Sequence, residues 1–314
     1  MEKRLMIESL KISVVIPVFN EELVLREFYP RLKKEAESWG KSYELLFIDD
    51  GSTDNSLELI CKWKEKDTNI RIVKFTRNFG QQAAVLAGFR QSRGDVVVQI
   101  DSDLQNPPEE IRRLLDSFTD EVDLVVTIPR KRRDSLLRTI GSKVLHYLAQ
   151  ALFGNRFKLN LSSFRAMRRT VIDKIEQCQD RSRYMAVLMS WMAVPTVQVE
   201  VDHNLRKTGQ TKYGLLPLLS LTWDLITGYS NFPLRLVTYL GLLGAGMGFA
   251  IMMFLLYQRL IAGILIEGFV VLSAVFSFFA GVQLLSIGFL GEYLGRVHLQ
   301  IQNRPDYIVH KVMD

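Results

Sequence analysis

Asp95-Val-Val-Val-Gln-Ile-Asp101-Ser-Asp103-Leu-Gln105-Asn-Pro-Pro108 is the stretch of the sequence that decides the fold. Its apolar, largely β-branched part, residues 96–100, predicts a buried strand. Asp101, Asp103 and Gln105 follow, and then come two prolines that cannot extend a strand but suit the first turn of a helix. Carboxylate and amide oxygens suit Mg²⁺ or Mn²⁺ that is shared with a substrate phosphate. From these residues alone, a solvated acidic turn that caps the next helix is an equal alternative.

The same arrangement of an apolar run with a polar exit recurs along the first half of the chain. Further strands are expected after Lys11, after Tyr43, at Ile70–Phe75 and at Asp123–Ile128. Their alternation with helices of roughly 10 to 18 residues predicts a parallel sheet with helices on both faces. The carboxyl ends of parallel strands form one edge, where ligands bind. The polar residues expected along this rim are Asn20, Asp50, Arg77, Asp101 and Asp103.

Several classes of protein are excluded by missing motifs. The sequence has neither G-x-G-x-x-G nor G-x-x-x-x-G-K-[ST], which argues against a dinucleotide oxidoreductase and a P-loop nucleotidase. Its four histidines are scattered, so a zinc site is not expected. The net charge of +6 is modest, and the basic clusters fit lipid headgroups or a phosphate-bearing substrate better than nucleic acid.

The last third of the chain predicts a membrane anchor of two helices. Leu236–Tyr257 and Gly268–Gly291 are free of charged residues, and each is long enough to cross a hydrocarbon core of about 30 Å as a helix. Gly244 and Gly248 fit a small-xxx-small helix contact, either within this hairpin or between protomers. An equal alternative is that glycine is simply tolerated in membrane helices at these positions. Before the first of these runs, Leu215–Phe232 carries Trp223 and Tyr229, aromatic residues typical of the headgroup level, which favours a helix that lies in the membrane interface.

Basic residues flank the outer ends of the hairpin rather than its connector. They are Arg235, Arg296, Arg304 and Lys311. By the positive-inside rule both termini are expected to be cytoplasmic, in a protein that crosses the membrane twice. No signal peptide is evident, and Cys61 and Cys178 are expected to stay reduced.

The expected organisation therefore has four parts. Residues 1–212 form a cytoplasmic catalytic domain, 213–233 an interfacial helix region, 234–292 two transmembrane helices and 293–314 a cytoplasmic tail.

Four motifs together resemble one known family. They are Pro17-Val-Phe-Asn20-Glu21-Glu22, Asp49-Asp50-Gly51-Ser52, Arg77-Asn78-Phe79-Gly80 and Asp101-Ser-Asp103-Leu-Gln105-Asn-Pro-Pro. The chain is similar to the inverting family 2 glycosyltransferases, in particular to their polyprenyl-phosphate branch, and Gly291-Glu292-Tyr293-Leu-Gly295-Arg296 resembles the anchor of its bacterial members. The resemblance implies an α/β fold: a Rossmann-like GT-A sheet domain with amphipathic interface helices and a two-helix C-terminal transmembrane hairpin.

The resemblance also implies an activity and roles for residues. The enzyme would transfer a sugar from a nucleotide diphosphate, with uridine favoured, to undecaprenyl phosphate, and it would need Mg²⁺ or Mn²⁺ held by Asp103 and Gln105. The implied donor-binding residues are Pro17, Asn20, Glu21, Asp50, Asp101, Arg132, Arg138 and Arg181. The implied acceptor-side residues are Arg206, Gly209 and Lys212, and the implied catalytic residues are Asp101, Asp103, Ser163 and Arg165. A homo-oligomer, either a tetramer or a dimer, is compatible with this reading.

One departure from the family bears on activity. Many relatives have Gly-Asp-Phe-Arg-Leu where this chain has Ser162-Ser163-Phe164-Arg165-Ala166. Ser163 therefore replaces a carboxylate that is often proposed either as the catalytic base or as the group that positions the acceptor. We expect activity nonetheless, because a phosphate monoester is largely dianionic at neutral pH and has no proton that must be removed. A catalytically impaired homologue is one alternative. A processive polysaccharide synthase is another, although the chain lacks a Q-x-x-R-W motif and further spans.

Overall fold

The computed structural model describes residues 10–130, 162–178, 185–204, 227, 232–261, 268–302 and 304–314. The chain divides into two compact units. One is a sheet unit that takes in residues 304–314 at the end of the chain, and the other is a helical unit between residues 212 and 303. The predicted interfacial region 213–233 lies almost wholly outside the described residues.

Within the described residues, eight strands form one sheet in the order β7-β5-β6-β4-β1-β2-β3-β8. The strands are β1 Ile12–Val18, β2 Tyr43–Asp49, β3 Ile70–Phe75, β4 Val96–Gln99, β5 Leu124–Pro129, β6 Arg165–Arg168, β7 Thr196–Val201 and β8 Val309–Met313. The helices of the sheet unit are α1 Glu22–Ser38, α2 Ser56–Lys64, α3 Gln81–Gln91, α4 Ile111–Asp116, α5 Arg169–Gln177 and α6 Met185–Trp191. A short 3₁₀ turn, Pro108–Glu110, precedes α4.

The sheet is mixed, whereas the sequence predicts a parallel one. Six strands run parallel, and β6 and β8 run antiparallel to their neighbours. The prediction is therefore wrong for these two strands. β6 has only four residues, and β8 is an edge strand with three exposed residues, so neither carries an apolar run that signals a strand. Residues 309–313, assigned to a polar tail from the sequence, thus form an edge strand of the eight-stranded sheet.

The two faces of the sheet carry separate apolar layers. Val14 and Ile16 of β1 pack on one face with Phe28 of α1, while Val15 packs on the other face with Val85 of α3. All five residues are 0% exposed to solvent. Burial on both faces explains why the parallel strands read as continuous apolar runs.

A buried ionic cluster holds together the edge where the parallel strands begin. Glu44 accepts hydrogen bonds from Ser13 Oγ at 2.5 Å, from Arg93 N at 2.6 Å and from Arg71 Nη1 at 2.9 Å. Arg71 Nε also donates to the Asp314 carboxylate at 2.7 Å. Burial alone raises the pKa of Glu44, but these hydrogen bonds together hold it below its ordinary value. The cluster joins β1, β2, β3 and the end of the chain.

In the helical unit, α7 Phe232–Leu260 and α8 Gly268–Ile301 are the long helices. Phe232–Phe254 and Phe278–Ile301 are long and apolar enough to cross a membrane. Gly244 and Gly248 face the ring of Phe279, since a Cβ on either would lie 3.2 or 3.1 Å from it. Of the alternatives that the sequence leaves open for these two glycines, the structure shows a contact within the hairpin.

Replacing Glu44 by Gln should destabilise the sheet unit, because Arg71 would lose an ionised partner inside the protein. We expect a loss of about 3 kcal/mol, which lowers the unfolding midpoint by roughly 6 to 12 °C, measured by thermal unfolding of the full chain in detergent. Because the pKa of Glu44 is lower in the folded protein, its stabilisation is present above about pH 4.3 and is lost as the pH falls below that value.

Glu58→Gln is the matched control, since Glu58 pairs with Lys62 on the surface, where both side chains are more than 60% exposed. Such a pair contributes less than about 1 kcal/mol. Equal midpoint shifts in the two variants would contradict the role assigned to the buried cluster.

Candidate active site

Asp101 lies directly beyond β4, where two side chains fix its carboxylate. Gln81 Nε2 donates to Asp101 Oδ1 at 2.7 Å, and Ser163 Oγ donates to Asp101 Oδ2 at 2.5 Å. Burial raises the pKa of Asp101; the bonds from Ser163 and Gln81 and the charge of Arg165 oppose this, whereas Asp103 adds to it. Both oxygens thus have a defined orientation before any ligand binds.

Arg165, the first residue of β6, is buried, and its charge acts on this carboxylate. The side chain is 4% exposed, Nη1 is 3.1 Å from Met189 Sδ, and Nε has no hydrogen-bond partner among the described residues. Burial lowers the pKa of Arg165 to about 10, so the guanidinium stays charged at neutral pH. Its charge favours the ionised form of Asp101.

Asp103 and Gln105 lie on one tight turn. Between them, Leu104 has φ 59°, a left-handed conformation that a leucine rarely adopts. The Leu104 side chain is 3% exposed and belongs to the core, which holds the backbone in this conformation. The backbone N–H of Gln105 donates to Asp103 Oδ1 at 3.1 Å, and the backbone N–H of Asn204 donates to the backbone carbonyl of Gln105 at 2.9 Å.

This turn offers donors that fit a magnesium or manganese ion. Asp103 and Gln105 are both half-buried, and each carries a hard oxygen donor of the kind that these ions prefer. In the described part of the chain, no three His, Cys, Asp or Glu side chains are grouped as a protein cage would require. The donor set therefore suits an ion that takes most of its ligands from water and from a phosphate group.

The loop after β1 is tied to the loop after β2 through Asn20. Its side-chain Oδ1 accepts a hydrogen bond from the backbone N–H of Thr53 at 2.8 Å, and its backbone N–H donates to Ser52 Oγ at 3.1 Å. Glu21 N donates to Ser56 Oγ at 2.9 Å. Pro17 is buried within β1, and its carbonyl accepts a bond from Ser102 Oγ at 3.3 Å. Pro17, Asn20 and Glu21 thus meet at the same edge as Asp101.

Asp50 connects the loop after β2 to the loop after β3. It is 3% exposed, and its two carboxylate oxygens accept the amides of Phe79 at 2.6 Å and Gly80 at 2.9 Å. Burial raises the pKa of Asp50, and these two amides oppose the rise. Both carboxylate oxygens of Asp50 are therefore hydrogen-bonded to the loop of residues 77–80. Direct contact of Asp50 with a nucleotide-sugar stays a prediction.

Gly51 makes this connection sterically feasible. It has φ 71°, and a Cβ at this position would lie 2.6 Å from the carbonyl carbon of Arg77. Only glycine combines that conformation with so close an approach of another backbone.

Six predicted residues lie outside the described residues, and their contribution stays a prediction. They are Arg132, Arg138, Arg181, Arg206, Gly209 and Lys212. The structure brings together Pro17, Asn20, Glu21, Asp50, Asp101, Asp103, Gln105, Ser163 and Arg165 through the contacts above.

Gln81 is the residue of this site that the sequence analysis misses. It is the first residue of α3, directly after the Arg77–Gly80 motif at the same rim. Its position in the sequence could have indicated this role, because a side chain at the start of the helix that follows β3 lies near the carboxyl edge of the sheet.

The chain belongs to the glycosyl transferase family 2, whose family model matches residues 13–176, more than half of the chain. It is 40% identical to the undecaprenyl-phosphate 4-deoxy-4-formamido-L-arabinose transferase of Aeromonas hydrophila subsp. hydrophila over 96% of this chain and 94% of that protein. It is also 40% identical to the transferase of the same name from Salmonella paratyphi B, with the same coverage.

Solved structures of a Mycobacterium tuberculosis enzyme share the fold. Glucosyl-3-phosphoglycerate synthase in complex with Mn²⁺, uridine diphosphate and glucosyl-3-phosphoglycerate matches with a TM-score of 0.51 at 20% identity, over 70% of this chain and 78% of that one. The complex of that enzyme with Mn²⁺ and UDP-glucose matches with a TM-score of 0.51 at 19% identity, over 71% and 80%. The GT-A type of α/β fold expected from the sequence is thereby confirmed.

Gly51→Ala should destabilise the sheet unit more than Gly40→Ala does. Both glycines have a positive φ, 71° for Gly51 and 63° for Gly40. A Cβ on Gly40, however, would have no atom within 4 Å from the described residues beyond its two chain neighbours. Gly40→Ala should cost only the conformational strain of about 1 kcal/mol, whereas Gly51→Ala should cost at least about 1 kcal/mol more because the backbone at Arg77 must move. Thermal unfolding of the two full-length variants measures the difference, and equal costs would contradict the close approach at Gly51.

Proposed function

We propose that the protein transfers a sugar from a uridine diphosphate donor to a polyprenyl phosphate and inverts the anomeric centre. The observation that carries this proposal is the 40% identity to undecaprenyl-phosphate transferases over nearly the whole chain. The arrangement of Asp101, Asp103 and Gln105 at the carboxyl edge of the sheet supports it, because ligands of such sheets bind there.

Asp103 and Gln105 would hold a divalent ion, Mg²⁺ or Mn²⁺, that binds together with the donor. When bound, the ion supplies Lewis acidity that neutralises charge on the departing diphosphate. The fixed turn at Leu104 presents both residues in one orientation, so little reorganisation is required of them when the donor binds.

Asp101 and Ser163 would orient the reacting groups rather than remove a proton. The acceptor is a phosphate monoester whose second pKa is about 6, so its attacking oxygen is already unprotonated at neutral pH. The negative charge of Asp101 suits an oxocarbenium-like transition state. Ser163 and Gln81 hold the carboxylate in place by hydrogen bonds, and the positive charge of the buried Arg165 favours its ionised form.

The remaining site residues would bind the two substrates. Pro17, Asn20 and Glu21, with Asp50 acting through residues 77–80, would form the nucleoside side, and Arg132, Arg138 and Arg181 would meet the phosphates. Arg206, Gly209 and Lys212 would lie on the acceptor side. These assignments rest on the motifs.

The long helices α7 and α8 would anchor the enzyme in a bacterial inner membrane, where its lipid acceptor is held. Their lengths and apolar composition support a two-helix hairpin. The basic residues outside the hairpin support cytoplasmic termini. A homo-oligomer, dimer or tetramer, stays a prediction.

The proposed reaction predicts a sugar-linked lipid as its product. The full chain in detergent is incubated with undecaprenyl phosphate and a panel of UDP-sugars, with Mn²⁺ or Mg²⁺, and the lipids are analysed by mass spectrometry. One donor should give undecaprenyl phosphate increased by one sugar residue, and chelation by EDTA should abolish the product until the metal is restored. Product formation undiminished by EDTA would contradict the metal site, and the absence of a lipid product with every UDP-sugar of the panel would contradict the proposed function.

Ser163 and Asp103 should differ in importance. Ser163→Ala removes one hydrogen bond to Asp101 but no charge, so we expect turnover within about tenfold of wild type. Asp103→Ala removes the carboxylate that holds the metal, so we expect a loss of about a thousandfold or more. Initial rates at saturating donor measure both effects.

Asp116→Ala is the control for the removal of a carboxylate, since Asp116 lies exposed at the end of α4, and it should leave the rate unchanged. Complete loss of activity in both Ser163→Ala and Asp103→Ala would mean that Ser163 is chemically required, which would contradict the proposed division of roles.

A further inference from the structure

We propose that Tyr307, in the segment that follows the second long helix, is a positioning residue for the nucleotide site. Tyr307 would support residues 77–80, the loop whose backbone N–H groups donate to Asp50. That this loop belongs to a nucleotide site rests on the proposed function.

An aromatic chain connects Tyr307 to that loop. The ring of Tyr307 stacks on Phe75, with centroids 5.0 Å apart and planes inclined by 10°. Phe75 is the last residue of β3 and is 1% exposed. The ring of Phe79 meets Phe75 edge to face, with centroids 5.8 Å apart. Phe75 therefore touches both the C-terminal segment and the loop, and a displacement of Tyr307 leaves Phe75 without its stacked partner.

Phe79 in turn supports the exposed cation of the loop. The Arg77 guanidinium lies 4.2 Å from the centroid of the Phe79 ring, and Arg77 Nη1 donates to the Asn78 carbonyl at 3.1 Å. An exposed arginine held over an aromatic ring at the ligand edge of the sheet is suited to a phosphate or a nucleobase. Because both oxygens of Asp50 are engaged, contact between this part of the rim and a nucleotide would pass through Arg77 and the loop backbone.

Tyr307 is itself fixed by neighbours that do not belong to the loop. The Thr76 amide donates to the Ile308 carbonyl at 3.1 Å, which ties the segment to the end of β3. The Arg90 guanidinium lies 5.7 Å from the Tyr307 centroid, and its Nη1 donates to Tyr307 Oη at 3.4 Å. The register of β3 and β8 shifts between Lys74 and Phe75, so the pairing is irregular where the ring stacks. The side chain of Tyr307 thus adds order at a point where the ladder alone is weak.

The test is the affinity of full-length variants in detergent for UDP in the presence of Mn²⁺, measured by isothermal titration calorimetry. Tyr307→Leu should weaken UDP binding about three- to tenfold, the fold-change that matches the strength of an aromatic pair. With the sugar donor identified by the panel, KM for the donor should rise by a similar factor, while kcat at saturating donor stays within about twofold. Tyr307→Phe keeps the ring and should restore wild-type affinity.

Ile308→Ala is the matched control, because it shortens the neighbouring exposed side chain but keeps the carbonyl that binds Thr76. It should bind UDP as the wild type does. A Tyr307→Leu variant that binds UDP normally, or that loses kcat with unchanged KM, overturns this inference alone. Wild-type protein that binds no UDP overturns the proposed donor and this inference with it.

Discussion

The orientation of a single carboxylate, that of Asp101, is the constraint on which the rest of the site depends. A half-buried carboxylate that lies near Asp103 is costly to keep ionised unless hydrogen-bond donors and positive charge surround it. Here Gln81, Ser163 and the buried Arg165 supply them, from α3, from the segment before β6 and from β6 itself. The antiparallel insertion of β6 between β4 and β5 places Arg165 opposite Gln99, two residues before Asp101. The antiparallel strand β6 is therefore needed for the geometry of the site.

The same consideration gives physical meaning to Ser163. A second carboxylate at this position would bring a like charge to the oxygen that Ser163 now contacts, and would raise the pKa of Asp101 further. A hydroxyl donates a hydrogen bond instead and stabilises the ionised form. Ser162 also contributes locally, because its Oγ lies 2.6 Å from Thr127 Oγ1 of β5. The departure from the family motif therefore leaves an ordered polar site, which agrees with an active enzyme more than with an impaired one.

Physical rules recover much of the fold and of the site from the sequence. β1 to β5 are buried parallel or central strands, so their apolar runs identify them, and the rim residues follow from the polar exits of β1 to β4. β6, β7 and β8 are short or partly exposed, and their places depend on pairings distant in sequence, which no local pattern encodes. For the same reason the strained turn at Leu104 and the contact of Gln81 with Asp101 emerge only in three dimensions. Asp50 illustrates a subtler limit: its motif predicts a site residue, but the backbone amides that it binds are visible only in the folded chain.

The most direct test of the account is the position of a metal ion bound together with a nucleotide. Crystals or vitrified particles of the full-length protein with UDP and Mn²⁺ would locate the ion, in crystals by its anomalous scattering. The account predicts Mn²⁺ coordinated by the Asp103 carboxylate and by diphosphate oxygens, with Asp101 still held by Gln81 and Ser163. An ion bound elsewhere, with the Asp103 carboxylate directed into bulk solvent, would contradict it.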